Sequence, residues 1–159
     1  ESGADAYISK PFEINHLIAT ANATIVNRLR LREKFNAGRV LSNLPIKNTA
    51  DDKFLQKVTD AVNTNIAEVE FGVLELSKYL GISRVHLHRK LRAIANISPN
   101  EFIKNIRLQM AGELLIKQEF TISEVCYKVG FNSPAYFSSC FKSYYKMSPT
   151  DFIEKNIVL

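Results

Sequence analysis

Residues 81–91 read GISRVHLHRKL and gather Arg84, His86, His88, Arg89 and Lys90 with no carboxylate among them. Three chemistries suit such a set: imidazoles ligating a metal, a charged face meeting water, or guanidinium groups gripping a polyanion. The third needs arginines on one accessible face, because the guanidinium fork matches the paired acceptors of guanine and of phosphate. On a helix His86 and His88, two positions apart, diverge and cannot easily grip one ion. Cys126 and Cys140 have neither CxxC spacing nor a His partner at metal-ligand spacing. No metal site, cofactor or catalytic set is expected, and a reduced, cytoplasmic chain is the plain reading.

The elements that must position these residues follow from periodicity and caps. Leu87, Leu91 and Ile94 share one side of a helix over 84–94, which leaves Val85, His88, Arg89 and Arg92 on the other. Helices are predicted near 51–66, 73–80, 84–94, 99–117, 122–129, 134–145 and 149–155. The first has the stripe Phe54, Leu55, Val58, Val62 and Ile66, capped by Thr49 or Asp51. Ser98 with Glu101 and Thr121 with Glu124 have capping-box spacing, Pro99 suits a first helical position, and Ser148, Pro149 and Asp151 repeat the design.

The chain also repeats itself. Glu75, Leu76, Leu80 and Gly81 fall 49 positions before Glu124, Val125, Val129 and Gly130. Ser83, Leu87, Leu91, Ser98, Pro99, Phe102 and Ile103 fall 50 before Ser133, Phe137, Phe141, Ser148, Pro149, Phe152 and Ile153, so one extra residue sits in the second turn. A short helix, a glycine turn and a longer helix, made twice, is a duplicated helix-turn-helix. The strip with Arg84, Val85, His88, Arg89 and Arg92 then lies on a recognition helix, the element that enters a major groove. In the second copy Phe137, Phe141 and Tyr144 or Tyr145 face inward, leaving Ser133, Pro134, Ala135, Ser138, Ser139 and Lys142 outward. That face is nearly uncharged. Ser and Ala can touch base edges but attract no phosphate, so a weaker second reader is expected, with Lys142 and Lys146 on the backbone.

A net charge of +5 and an isoelectric point near 9.2 agree with an anionic partner without specifying one. No apolar run approaches the roughly 20 residues of a membrane helix. The helix over 99–117 would be about 28 Å long, whereas successive major grooves on one face of B-DNA lie about 34 Å apart. Either the duplex bends toward the protein or only one reader docks fully.

The run VGFNSPAYFSSCFKSYYKMSP, with LGISRVHLHRKLRA and RLQMAGELL, resembles the AraC-type DNA-binding domain over about residues 52–156. That resemblance implies two helix-turn-helix units joined by a long helix, both reading double-stranded DNA to control transcription. It places base contacts at Val85, His88 and Arg89, and at Pro134, Ala135 and Ser139. The chain departs from the commoner pattern at Ser139, where many relatives carry Arg, and at Tyr145-Lys146-Met147, where a Gly is usual.

The head, GADAYISKPFE followed by an amphipathic pattern with Ile14, Leu17, Ile18, Ala21, Ile25 and Leu29, is similar to the last strand and helix of a response-regulator receiver domain. The resemblance implies that Lys10 is the switch lysine that meets a phosphorylated aspartate lying upstream, and that Lys10-Pro11 is cis. The expected organisation is a receiver fragment over 1–35, a linker over 36–50 rich in Gly, Pro, Asn and Ser, and the DNA-binding domain over 51–159. The fold is thus mainly all-α with a strand-helix remnant of an α/β domain. The parent would be a response regulator, or a hybrid sensor that carries a histidine kinase and anchors in the inner membrane. Self-association into a dimer is expected, with Ile25, Leu29 and Phe35 as candidate pairing contacts, although core packing inside a receiver explains Ile25 and Leu29 equally well, and RNA polymerase is a further partner. The rivals are a protein-interaction module on the same fold and a ligand-gated AraC-type regulator.

Overall fold

The computed structural model describes residues 50–157, together with residues 18, 19, 21–23, 25 and 26 of the head. The latter are helical, as the apolar pattern predicts, and Ile18, Ile25 and Val26 are more than half exposed. The predicted strand at 5–9, Lys10, Pro11, Leu29, Phe35 and linker residues 36–49 lie outside the described residues, while Ala50, the expected end of the linker, is already helical.

Seven helices follow: α1 (Ala50–Thr64), α2 (Val73–Tyr79), α3 (Arg84–Ala95), α4 (Pro99–Lys117), α5 (Ile122–Lys128), α6 (Pro134–Tyr145) and α7 (Pro149–Ile157). The starts obey local chemistry. Ser83, Ser98, Thr121 and Ser133 each accept a hydrogen bond from the backbone N–H three residues on, which satisfies a donor that the helix itself leaves orphaned. Two boxes are reciprocal: Thr121 with Glu124, and Ser148 with Asp151. At Ser98 only the serine half is made, by Glu101 N–H at 3.2 Å. Thr49 lies outside the described residues, and Asp51 and Asp52 are buried in the first turn of α1.

Both helix-turn-helix turns close in the same way. After α2, Gly81 N–H bonds Lys78 C=O and Ile82 N–H bonds Ser77 C=O; after α5, Gly130 N–H bonds Tyr127 C=O and Phe131 N–H bonds Cys126 C=O. This is the Schellman arrangement, which puts its glycine at positive φ; here φ is 66° at Gly81 and 77° at Gly130. The second turn then carries the extra residue, the exposed Asn132, before its serine cap.

Two separate cores result. The first joins Leu55, Val58, Val62, Leu76, Leu87, Leu91 and Ile94 to Phe102, Ile103 and Ile106 of α4. The second joins Leu108, Ala111 and Leu115 of α4 to Val125, Val129, Phe137 and Phe141. Helix α4 thus gives its first half to one unit and its second half to the other. Truncating a fully buried Leu to Ala costs about 2–5 kcal/mol, so Leu87 and Leu91, with no exposed surface, anchor α3 firmly on the first core. Among the described residues no helix is long and apolar enough to cross a membrane.

Candidate nucleic-acid interface

The inward face of α3 fixes which side chains point away. With Leu87, Leu91 and Ile94 fully buried, Arg84, Val85, His88, Arg89 and Arg92 are all exposed, Val85 at 76%. An exposed valine between Arg84 and His86 gains nothing from water, so its place there is informative. Ser83 caps the helix by accepting from His86 N–H at 3.1 Å, and the first turn carries no acidic residue. Lys90 turns aside, its ammonium 4.6 Å from the centre of the Phe54 ring on α1. Arg92 is partly engaged: its guanidinium donates to Asn96 C=O at 3.1 Å, at the end of its own helix. Arg84, His88 and Arg89 therefore form the polar heart of the strip. His86 is half-buried while His88 is exposed, as the divergence of their directions requires.

On α6 the outward set is smaller than the periodicity alone indicates. Ala135, Ser139 and Lys142 are exposed, whereas Ser133, Pro134 and Ser138 are half-buried. The Ser133 hydroxyl already accepts from Tyr136 N–H at 3.3 Å. Tyr136 packs over the turn, its ring centre 6.0 Å from that of Phe131. The ammonium of Lys146 donates to Ser143 C=O at 2.7 Å, so this cation caps α6. Phe137 and Phe141 sit in a run of aromatic contacts with Phe131, Tyr145 and Phe152. Burial pushes the Tyr144 and Tyr145 phenols up, and Gln109 donates to the Tyr144 hydroxyl at 2.6 Å. These tyrosines hold α6 on α4 and leave its far side to small side chains and Lys142.

Sequence reasoning missed Arg107. Its guanidinium, half-buried beside α4, donates to the carbonyls of Glu68 at 2.6 Å, Phe71 at 3.3 Å and Gly130 at 3.2 Å. Burial draws its pKa down, yet an arginine keeps its proton in proteins. The available signal was its setting, a cation between the core residues Ile106 and Leu108.

A family model described as a helix-turn-helix domain matches residues 76–155, both turns included. A transcriptional regulator from Chromobacterium violaceum, described as AraC-type, shares the fold at a TM-score of 0.60 and 24% identity, over 64% of this chain and 90% of that one. The chain belongs to this helix-turn-helix domain family. A DNA-binding transcriptional dual regulator from Escherichia coli K-12 is similar at 30% identity and a TM-score of 0.61, over 66% of this chain and 93% of that structure. A protein named Histidine kinase P4, from Formosa agariphila, is 40% identical over 153 residues, which is 96% of this chain and 11% of that protein. The chain spans 11% to 40% of the length of the first curated relatives it matches.

Proposed function

We propose that this chain is the sequence-specific DNA-reading output of a two-component transcriptional regulator, with α3 as the principal reader and α6 as a weaker one. The observation that carries the reading is the split of α3 into a fully buried apolar side and a wholly exposed side bearing Arg84, Val85, His88, Arg89 and Arg92. Arg89 and His88 bond base edges in the major groove, Val85 meets a thymine methyl, and Arg84 and Arg92 hold phosphates. On α6, Pro134, Ala135, Ser138 and Ser139 make short-range contacts, Ser133 caps, and Lys142 holds the backbone. The mean charge on that helix is too small to draw it in alone. The shared helix α4 delivers it, either to a bent duplex or to a looser second docking.

The two-component setting is supported by the likeness to a protein named as a histidine kinase, which runs over 96% of this chain. In this reading the head is the end of a receiver, Lys10 is its switch lysine, and phosphorylation upstream changes how two copies pair on DNA. The parent is then a hybrid sensor whose kinase and receiver precede this output in one chain. RNA polymerase is the downstream partner.

Selection of bound duplexes from a random pool tests the reading. The expected result is an enriched site with one sharply defined element and, about 10 base pairs away, a more permissive one. A pool that yields no enriched sequence overturns it, and binding insensitive to salt would point to a protein partner.

A further inference from the structure

The two helix-turn-helix units have separate cores, and among the described residues Ile66 is the hydrophobic side chain that packs against both. Something else must set how one unit is turned on the other, since a shared helix leaves room for twisting. Arg107 stands at the point of α4 where its core contribution passes from Ile106 in the first unit to Leu108 in the second. One nitrogen of its fork bonds the carbonyls of Glu68 and Phe71, in the segment that leads into α2. The other bonds the carbonyl of Gly130, in the turn of the second unit. The planar guanidinium is thus a brace between the two units, with partners 39, 36 and 23 positions away in sequence.

Gly130 shows how close that junction is. A β-carbon there would stand 2.5 Å from Ile66 C=O and 2.9 Å from the Arg107 guanidinium carbon. Backbone of the second unit's turn therefore lies directly on backbone of the first unit and on the brace. Gly130 precedes Pro134, the first residue of α6, by only four positions. Movement at this junction becomes movement of the second reader.

We propose that Arg107 is a positioning residue that sets the distance and helical phase between α3 and α6, and so decides which spacing of the two DNA elements the protein accepts. The proposal rests on the DNA-reading assignment above for its consequence, and on geometry alone for its cause. Charged hydrogen bonds of this kind resist loss because the part-buried carbonyls of Phe71 and Gly130 would lose a donor, whereas Glu68 C=O keeps the bond from Phe71 N–H at 3.0 Å.

Arg107→Met keeps the stem and removes the fork; Arg107→Lys keeps the charge and loses the planar bridge. The duplexes are the selected full site, the same site with one base pair inserted between its elements, and a duplex holding the first element alone. Expected for Arg107→Met is unchanged helical circular dichroism, an affinity for the first element within about twofold, and a loss of about tenfold on the full site. The penalty for the inserted base pair should shrink, and the salt dependence should keep its slope. Arg107→Lys should fall between wild type and Arg107→Met. Equal loss on every duplex with a salt slope lower by about one would instead make Arg107 a phosphate contact and overturn the proposal. An unchanged spacing profile would also overturn it.

A DNA-free measurement separates the cause from the consequence. Spin labels at Lys57→Cys on α1 and Ser143→Cys on α6, both exposed positions, are placed in a Cys140→Ser background. The distance distribution should be narrow with Arg107 and broad with Arg107→Met. Equal widths overturn the brace whatever the DNA result. A broadened distribution in a protein that selects no duplex would uphold the brace and sink the DNA reading.

Discussion

At the scale of single residues, positive φ has a cost that only some side chains escape. Asn96, Gln118 and Lys146 end α3, α4 and α6 with φ of 60°, 56° and 62°. An L-residue with a Cβ pays about 1–2 kcal/mol there, and Asn less than most. The resemblance leads one to expect a glycine within Tyr145-Lys146-Met147, and the structure gives the reason: Lys146 is a left-handed helix end. Lys146→Gly should stabilise the chain by about 1 kcal/mol, offset in part by loss of the bond to Ser143 C=O. Asn96→Gly should gain less. Urea unfolding of the two variants checks this, and a lower midpoint for Lys146→Gly would contradict it. Arg92 and Arg107 show the same lesson for cations: each is held by carbonyls of its own chain, so a charge count overstates what is free for a partner.

At the scale of elements, helix starts were legible because capping is local. Ser83, Ser98, Thr121, Ser133 and Ser148 announce α3 to α7, and six predicted starts coincide with the structure while α1 starts one residue earlier. The ends were less legible, since α1 stops at Thr64 in place of 66 and Ile66 packs from a turn. The inward faces of α3 and α6 followed from spacing alone. The brace at Arg107 did not, because its partners are carbonyls brought together only by the tertiary fold. The capping boxes also predict a pH response. Glu124 is held below the usual carboxylate range, first by the Thr121 backbone N–H and then by its hydroxyl, and Asp151 likewise by the Ser148 hydroxyl and backbone. A folded-state pKa below the unfolded one gives stability that is complete above the unfolded pKa and is lost as pH falls through the folded one. Glu124→Gln should therefore lower the urea midpoint at pH 7 and converge with wild type as the pH drops below about 4. A gap that persists at low pH would show that the box acts without its charge.

At the scale of the whole molecule, two small cores strung on one helix present two exposed helix faces of unequal charge. The first face has guanidinium and imidazole groups on an anchored helix; the second has small side chains and Lys142 on a helix fixed by aromatic packing. On the reading proposed above, this inequality, the brace between the units and the head's likeness to a receiver make a regulator that depends on pairing of copies for affinity and on α3 for selectivity. The duplicated design was legible in the sequence because both turns carry the same glycine and both long helices the same serine cap. The relation between the units was not, since it lives in contacts between segments far apart in the chain.

The most direct test of the central claim compares Arg89→Ala with Lys142→Ala on the selected duplex and on a scrambled one of equal length. Arg89→Ala should cost about 1–3 kcal/mol on the selected duplex, relax preference at one base pair and leave scrambled binding nearly unchanged, while Lys142→Ala weakens both alike and lowers the salt slope by about one. Equal losses on the two duplexes for Arg89→Ala would contradict the assignment of α3 as the reader of sequence.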